Sequence, residues 1–366
     1  MTAQVASGVR VDRISTLAAF DAERACWERL EKLDPEANVF TSWRWLRAYL
    51  PVARYRWEIV VLRDGGEPFA YLPLAHGGNV LDRELFLGGN PIADQAGMVV
   101  QPARAEAAVA AFAEAVLAMP WDGFNALDVF DTRIDALVQR LVERGARLES
   151  KVESHGLWCE LPATWDEYLS QRVSKRTRNN ALRVERRLAE SLPNFRITVA
   201  GDDDIDAHID ALIEIHHLRW GGNLRNAHRR FGTLFRNAYR AGLLHVFMYW
   251  DGDKAIAGSA SFLDELRSAY GAYMLGFNEA YAKFTPGIGV AGRCVQSAIE
   301  MKCSIFDFLR GDEDFKRRYV DRERVTHQYR LTRRGVRAAA VGFLRPKLRA
   351  LKLAAANVVY GPGRSL

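Results

Sequence analysis

Cysteine is scarce in this sequence: Cys26, Cys159, Cys294 and Cys303 are the four among 366 residues. No two of them form a C-x-x-C pair. That spacing suits buried thiols better than a disulfide framework or a zinc site. H-E-x-x-H and G-x-S-x-G are both absent, so neither a zinc-protease helix nor a serine-hydrolase elbow is present, and no metal ligand set is expected. No apolar run approaches the roughly 20 residues of a membrane-spanning helix, and no early apolar segment reads as a signal peptide. A cytoplasmic location is the expectation. Acidic residues are missing from 333–366, where eight Lys or Arg fall.

That last absence changes the meaning of the net charge of +6. Of 51 Lys and Arg, the eight in 333–366 leave 43 in the body against 45 acids. The body is therefore slightly acidic, no generic nucleic-acid surface is expected, and the positive excess belongs to the tail. In the tail, Val336, Ala340, Phe343, Leu344, Leu348, Leu351 and Ala355 recur at helical spacing around Pro346. Within the tail 336–366, residues 336–357 are expected to form a basic amphipathic helix. It either lies on an anionic membrane surface or packs back on the body.

What is present is an ordinary globular composition, 49% apolar and 26% charged, long enough for one large or two medium domains. Ser268–Gly276 reads as a strand, Lys283-Phe-Thr-Pro-Gly-Ile-Gly289 as a glycine loop, and Ile288 to Lys302 as a helix. Ser304 to Leu309 is a second strand, followed by the charged run Arg310 to Tyr319. A helix opened by glycines leaves first-turn N–H groups free for an anion. The alternative is an ordinary helix start with Pro near its first position. A strand on each side makes a βαβ unit, the usual seat of a pyrophosphate.

Earlier in the chain the reading is a helix over 17–33, a helix bearing Trp43 and Leu46, and a hairpin around Asp64-Gly65. Short strands near 85–87 and 127–130, helices over 103–119 and 133–144, and a strand over 157–161 follow. A second hairpin turns at Asp251-Gly252, 187 residues after the first. Leu87-Gly88-x-Asn90 and Leu275-Gly276-x-Asn278 are 188 apart. This self-similarity points to a duplicated α/β domain. The first copy carries Pro91 to Gly97 in place of the glycine loop, so one cofactor site is expected, in the second copy.

Arg172 to Glu190 reads as a basic helix with Val173, Thr177, Ala181, Val184 and Leu188 on its apolar face. It is either a solvated face or an anion-binding wall. A further helix through Trp220 carries His216, either structural or a base near neutral pH.

These features resemble a known family. Strand, glycine loop, helix and strand in this order are similar to the acyl-CoA-binding core of GNAT acetyltransferases, with Phe284 where Gln or Arg is usual. The run Phe306-Asp-Phe-Leu-Arg-Gly-Asp-Glu-Asp-Phe-Lys-Arg-Arg-Tyr319 looks more specifically like the CelD/BcsL type, related to the FemAB peptidyltransferases. Phe40-Thr-Ser-Trp-Arg-Trp45, Ser174-Lys-Arg-Thr-Arg-Asn179 and His216-His-Leu-Arg-Trp220 add weaker matches, so the resemblance covers roughly 35–330.

The resemblance implies an α/β fold of two tandem GNAT-like domains with mixed sheets. The expected division is 1–160, 161–335 with the acyl-CoA site, and the tail 336–366. It implies acetyl-CoA or another acyl-CoA as co-substrate. The acceptor would be an amine or hydroxyl on a small molecule, sugar- or nucleotide-linked, of envelope or polysaccharide chemistry. Met274, Leu275, Lys283, Pro286, Gly287, Ile288 and Gly289 are the expected cofactor residues. Asp312, Lys316 and His216 are the expected catalytic ones. Lys175, Arg178, Asn179, Trp220 and Arg310 are the expected acceptor contacts. Asp312 and Lys316 have a second reading as an internal ion pair locking a turn. Transfer from aminoacyl-tRNA, or a non-catalytic role in polysaccharide assembly, are the alternative functions.

Overall fold

A computed structural model of the chain describes residues 4–5, 8–79, 82–221 and 223–333. The expected tail helix lies outside the described residues. Those described form two compact units, one of residues up to 153 with 326–333, the other of 154–325.

The first unit opens with β1 (Gln4–Val5), β2 (Val9–Ile14), α1 (Leu17–Ala22), α2 (Arg24–Leu33) and α3 (Trp43–Tyr49). The single helix expected over 17–33 is two helices. They meet at Glu23, whose carboxylate is drawn to Arg63 and to the Tyr71 hydroxyl, 2.7 Å away. Ser42 caps α3, accepting from Trp45 N–H. β3 (Arg56–Asp64) and β4 (Glu67–Gly78) form the first hairpin. Then come β5 (Arg83–Leu87), β6 (Val99–Val100), α4 (Ala105–Leu117), β7 (Gly123–Val129) and α5 (Thr132–Glu143). β8 (Arg147–Glu160) runs into the second unit.

The second unit continues with α6 (Trp165–Gln171), α7 (Lys175–Ser191), β9 (Phe195–Val199), α8 (Ile205–Trp220), α9 (Leu224–Ala227) and α10 (Thr233–Arg240). The second hairpin is β10 (Leu244–Asp251) with β11 (Lys254–Asp264). β12 (Ala269–Phe277), α11 (Pro286–Glu300), β13 (Ile305–Arg310) and β14 (Arg322–Thr332) complete it, β14 ending in the first unit. The basic helix starts at Lys175, capped by Ser174 on Thr177 N–H. Arg172, expected within it, ends α6 and pairs with Asp321.

The two sheets follow one plan. In the first unit the order is β2-β3-β4-β5-β7, with the end of β14 on β7. In the second it is β9-β10-β11-β12-β13, with the end of β8 on β13. Each plan contains one parallel pair, β5 with β7 and β12 with β13, and antiparallel pairs elsewhere. The duplication expected from the repeated turns is therefore visible in strand order.

Tyr168, Val184, Leu188, Tyr249, Val290, Cys294, Phe306 and Phe308 pack the second unit's core around α11. Phe284 joins them at 5% exposure and is a core residue. All four cysteines are free, and burial pushes the thiols of Cys159 and Cys294 up to about 12.

Candidate active site

The site begins where β12 and β13 part. They pair only from Ala269 to Gly271 against Ile305 to Asp307. β12 then continues along β11 to Phe277, and β13 continues to Arg310 beside β8. Asp307 makes the bend. Its Oδ1 accepts the Leu309 N–H at 2.7 Å, and Leu309 takes a left-handed φ of 56°. A non-glycine residue pays steric strain in that region. The register against β8 shifts across the same residues. The closing asparagine of the repeated motif turns away from the fork: Asn278 donates to Ala255 O and caps the next short helix through Ala280 N–H.

The first unit shows the same fork closed. There Asn90 turns inward at 0% exposure, accepting Leu127 N–H at 3.1 Å and donating to Leu127 O at 3.2 Å. Ala96 adds a parallel bridge to Val129. Strand β7 is thus occupied where β13 is open.

A cleft of about 470 Å³ lies in the open fork. β12 supplies one wall from Ala272 to Phe277, and α8 contributes His216 and Arg219. Thr285, Gly287, Ile288 and Val290 come from the start of α11, and Phe308, Arg310, Glu313, Phe315 and Lys316 from β13 and beyond. Gly276 lets α8 approach: a Cβ there would stand 3.5 Å from His216 N and 3.3 Å from Ile215 Cγ1. Burial, then the Arg219 and His217 charges, hold the His216 imidazole below its ordinary value, so it is neutral at pH 7. Arg219 stacks 4.3 Å over the Phe277 ring and reaches Glu279 at 3.8 Å.

Lys316 is 5% exposed. Its Nζ donates to Arg310 O at 2.7 Å and meets Glu313 Oε2 at 2.8 Å. That is the geometry of a turn lock. Asp312 is exposed and does not line the cleft, whereas Glu313 does. Tyr319 is 2% exposed and donates its hydroxyl to Ile288 O at 2.8 Å, clamping the first turn of α11 from below. Burial raises its phenol further from ionisation.

Thr285 has a left-handed φ of 54° and Pro286 opens α11. Gly287 faces the cleft, but Gly289 does not. Gly289 is buried, and a Cβ there would fall 2.7 Å from Val184 Cγ1 of α7. This glycine therefore serves helix packing. The two helices are also tied by Glu185, which accepts from Arg293 at 2.7 and 3.1 Å and from the buried Tyr249 hydroxyl.

Thr285 and Ile288 at the α11 start also border a groove of about 720 Å³. Lys175, Arg176, Asn179, Asn180, Arg183 and Arg187 of α7 line it with Thr285, Ile288 and Arg318. Thr285 and Ile288 border both spaces.

The structure thus brings His216, Met274, Leu275, Gly287, Ile288, Arg310 and Lys316 to the cleft, and Lys175 and Asn179 to the groove. Lys283 is exposed with Nζ 5.0 Å from the Phe284 ring, Pro286 is buried, and Arg178 lines neither space. The Trp220 side chain lies outside what is described. Arg219, Glu313, Thr285 and Arg318 were not singled out from the sequence. Each lies within a stretch already noted there, but which residues of a stretch face one cavity is a tertiary property. Among the described residues no cluster of His, Cys, Asp and Glu is placed to hold a metal ion. No described helix is long and apolar enough to cross a membrane.

Residues 175–317 match the family model described as an acetyltransferase (GNAT) domain. The fork, the cleft and the α11 start all fall within that match, so the second unit carries a GNAT acetyltransferase domain. Among solved structures, FemX is 12% identical with a TM-score of 0.59, covering 87% of this chain and 96% of its own. A tandem GNAT protein from the clavulanic acid biosynthesis pathway, solved without AcCoA, is 12% identical with a TM-score of 0.53, covering 87% and 98%. The C-terminal domain of a putative lysylphosphatidylglycerol synthetase from Agrobacterium fabrum is 11% identical with a TM-score of 0.52, covering 96% and 99%. These likenesses extend the tandem GNAT fold over the chain. No curated protein sequence matches it.

Proposed function

We propose that this protein transfers an acyl group from acyl-CoA to an amine or hydroxyl of a small acceptor, a sugar or cell-envelope precursor, by direct attack. The observation that carries this reading is the open fork of β12 and β13, with its cleft running to the start of α11. A thioester arm fits a cleft walled by Ala272, Met274, Val290 and Phe308, each nearly fully buried. The diphosphate of the donor fits the first turn of α11, where backbone N–H groups and the helix dipole favour an anion.

In this reading the acceptor nitrogen or oxygen attacks the thioester carbonyl, the carbon–sulfur bond breaks, and the sulfur leaves as thiolate, which takes up the proton the acceptor gave up and departs as the CoA thiol. His216, neutral at working pH, takes the acceptor's proton. Arg219 and Arg310 supply positive charge at the cleft. Lys316 keeps the turn carrying Arg310 and Glu313 in place.

Calorimetry with acetyl-CoA, followed by thiol release against a panel of amino sugars and envelope precursors, tests the reading. Binding of one equivalent and acceptor-dependent thiol release are expected. A folded protein that ignores acyl-CoA at millimolar concentration would end it. A second reading, transfer from an aminoacyl-tRNA, is supported by the basic groove of α7 and by the fold shared with FemX. It requires product formation with charged RNA and none with acyl-CoA.

A further inference from the structure

The groove beside the α11 start holds more positive charge than a diphosphate at a helix start needs. Lys175, Arg176, Arg183, Arg187 and Arg318 line it, and no Asp or Glu does. The two carboxylates near it on α7 are engaged elsewhere, Glu185 by Arg293 and Glu190 by Arg186. Among the described residues none of the five cations is in an ion pair. The α7 members recur at helical spacing on one face, while Thr177, Val184 and Leu188 bury the other.

From Lys175 to Arg187 the helix rises about 18 Å at ~1.5 Å per residue. A diphosphate is too short to meet both ends. The groove and the cleft share Thr285 and Ile288 in their linings, so a molecule passing over the start of α11 can touch both. Its lining has arginines and the amides of Asn179 and Asn180 but no aromatic ring, so it offers no stacking platform for a base. Recognition there is of phosphate rather than of nucleobase.

We propose that this groove binds the 3′-phosphate of the donor's nucleotide and makes the protein selective for CoA over donors lacking that group. The proposal rests on the acyl-CoA reading above. The 3′-phosphate is a monoester carrying roughly −1.5 to −2 charge at pH 7, set a ribose ring away from the diphosphate. Arg183 and Arg187, at the far end of the stripe, are the specificity residues. Guanidinium is the group best shaped for such an anion.

The test compares CoA with 3′-dephospho-CoA by calorimetry, in wild type and in the double variant Arg183→Gln/Arg187→Gln. Both positions are exposed, so the variant is expected to keep its melting temperature. Wild type should bind CoA roughly tenfold or more tighter than 3′-dephospho-CoA, the scale of one or two charge-assisted hydrogen bonds. The preference should shrink with added salt. The double variant should lose the preference while keeping wild-type affinity for 3′-dephospho-CoA. Adenosine 3′,5′-bisphosphate should compete with CoA on wild type and not on the variant. Equal affinity of wild type for the two donors overturns the proposal and leaves the acyl-CoA reading standing. If neither donor binds, the acyl-CoA reading falls and takes the proposal with it. A short RNA duplex that binds wild type more tightly than CoA, through the same two arginines, also overturns it.

Discussion

Replacing Gly289 by alanine separates a packing glycine from a ligand-facing one. The added Cβ would lie 2.7 Å from Val184 Cγ1, 3.3 Å from Val184 Cβ and 3.5 Å from Tyr249 Cε2. Carbon atoms in contact prefer about 3.5–4.0 Å. Val184 is β-branched on a helix and holds one rotamer, so it cannot swing clear. The helices α7 and α11 must part instead. Overpacking of this kind costs about 1–3 kcal/mol, against about 1 kcal/mol gained by alanine over glycine in a helix. The net is a loss of about 0–2 kcal/mol, which lowers the melting temperature by a few degrees in a domain of this size. Melting curves of Gly289→Ala, Val184→Ala and the double variant measure it. The double variant should be more stable than the sum of the single losses allows, because the new methyl fills part of the space that Val184 vacates, with a coupling of about 1–2 kcal/mol. Folded Gly289→Ala should bind CoA as wild type does. A variant that melts higher than wild type yet loses CoA would refute the packing argument and return Gly289 to the ligand. An acidic residue at 289 would disturb the same helix contact and says nothing about phosphate.

The remaining expectations concern the cleft. Because burial lowers the His216 pKa below 6.5, the base stays neutral through pH 6.5, and kcat/KM should fall only at lower pH. His216→Gln should remove that acid limb along with most of the turnover. The same depression makes the folded state more stable above pH 6.5, with that share lost as pH falls through the folded value. A pH–stability profile unchanged by His216→Gln would contradict it. Lys316→Met removes the amine that serves Arg310 O and Glu313 while keeping the apolar stem. It should cost about 1–3 kcal/mol in stability, with thiol release at low temperature within a few-fold of wild type. A loss of several hundred-fold in an undiminished melting curve would instead make Lys316 catalytic.

Local chemistry was legible in the sequence and tertiary geometry was not. The glycines after Asp64 and Asp251 located both hairpins, because their two-residue loops, Gly65-Gly66 and Gly252-Asp253, demand left-handed backbone that glycine takes readily. The repeat showed because turns and strands recur at one spacing. The basic stripe of α7 was readable from helical periodicity, although its first turn was not. The bend of β13 was hidden, since it requires Leu309, a residue with no turn propensity, in a left-handed conformation held by Asp307. The roles of neighbours were hidden too. Asp312 and Glu313 are adjacent acids in one charged run, and only the path of the backbone turns Glu313 to the cleft. Two glycines in Pro286-Gly-Ile-Gly289 looked alike, yet one faces the cleft and the other faces Val184.

The Asn90 contact also has an arithmetic consequence. One side chain, by satisfying the backbone of Leu127, takes the place that an incoming molecule would need in the first copy of the sheet plan. Duplication has doubled the scaffold without doubling the vacancies. Ligands of the fork should therefore titrate to one equivalent per chain along a simple hyperbola. Any sigmoidal response to them should arise from association between chains, because among the described residues the first copy's fork is filled and offers no matching seat to cooperate with.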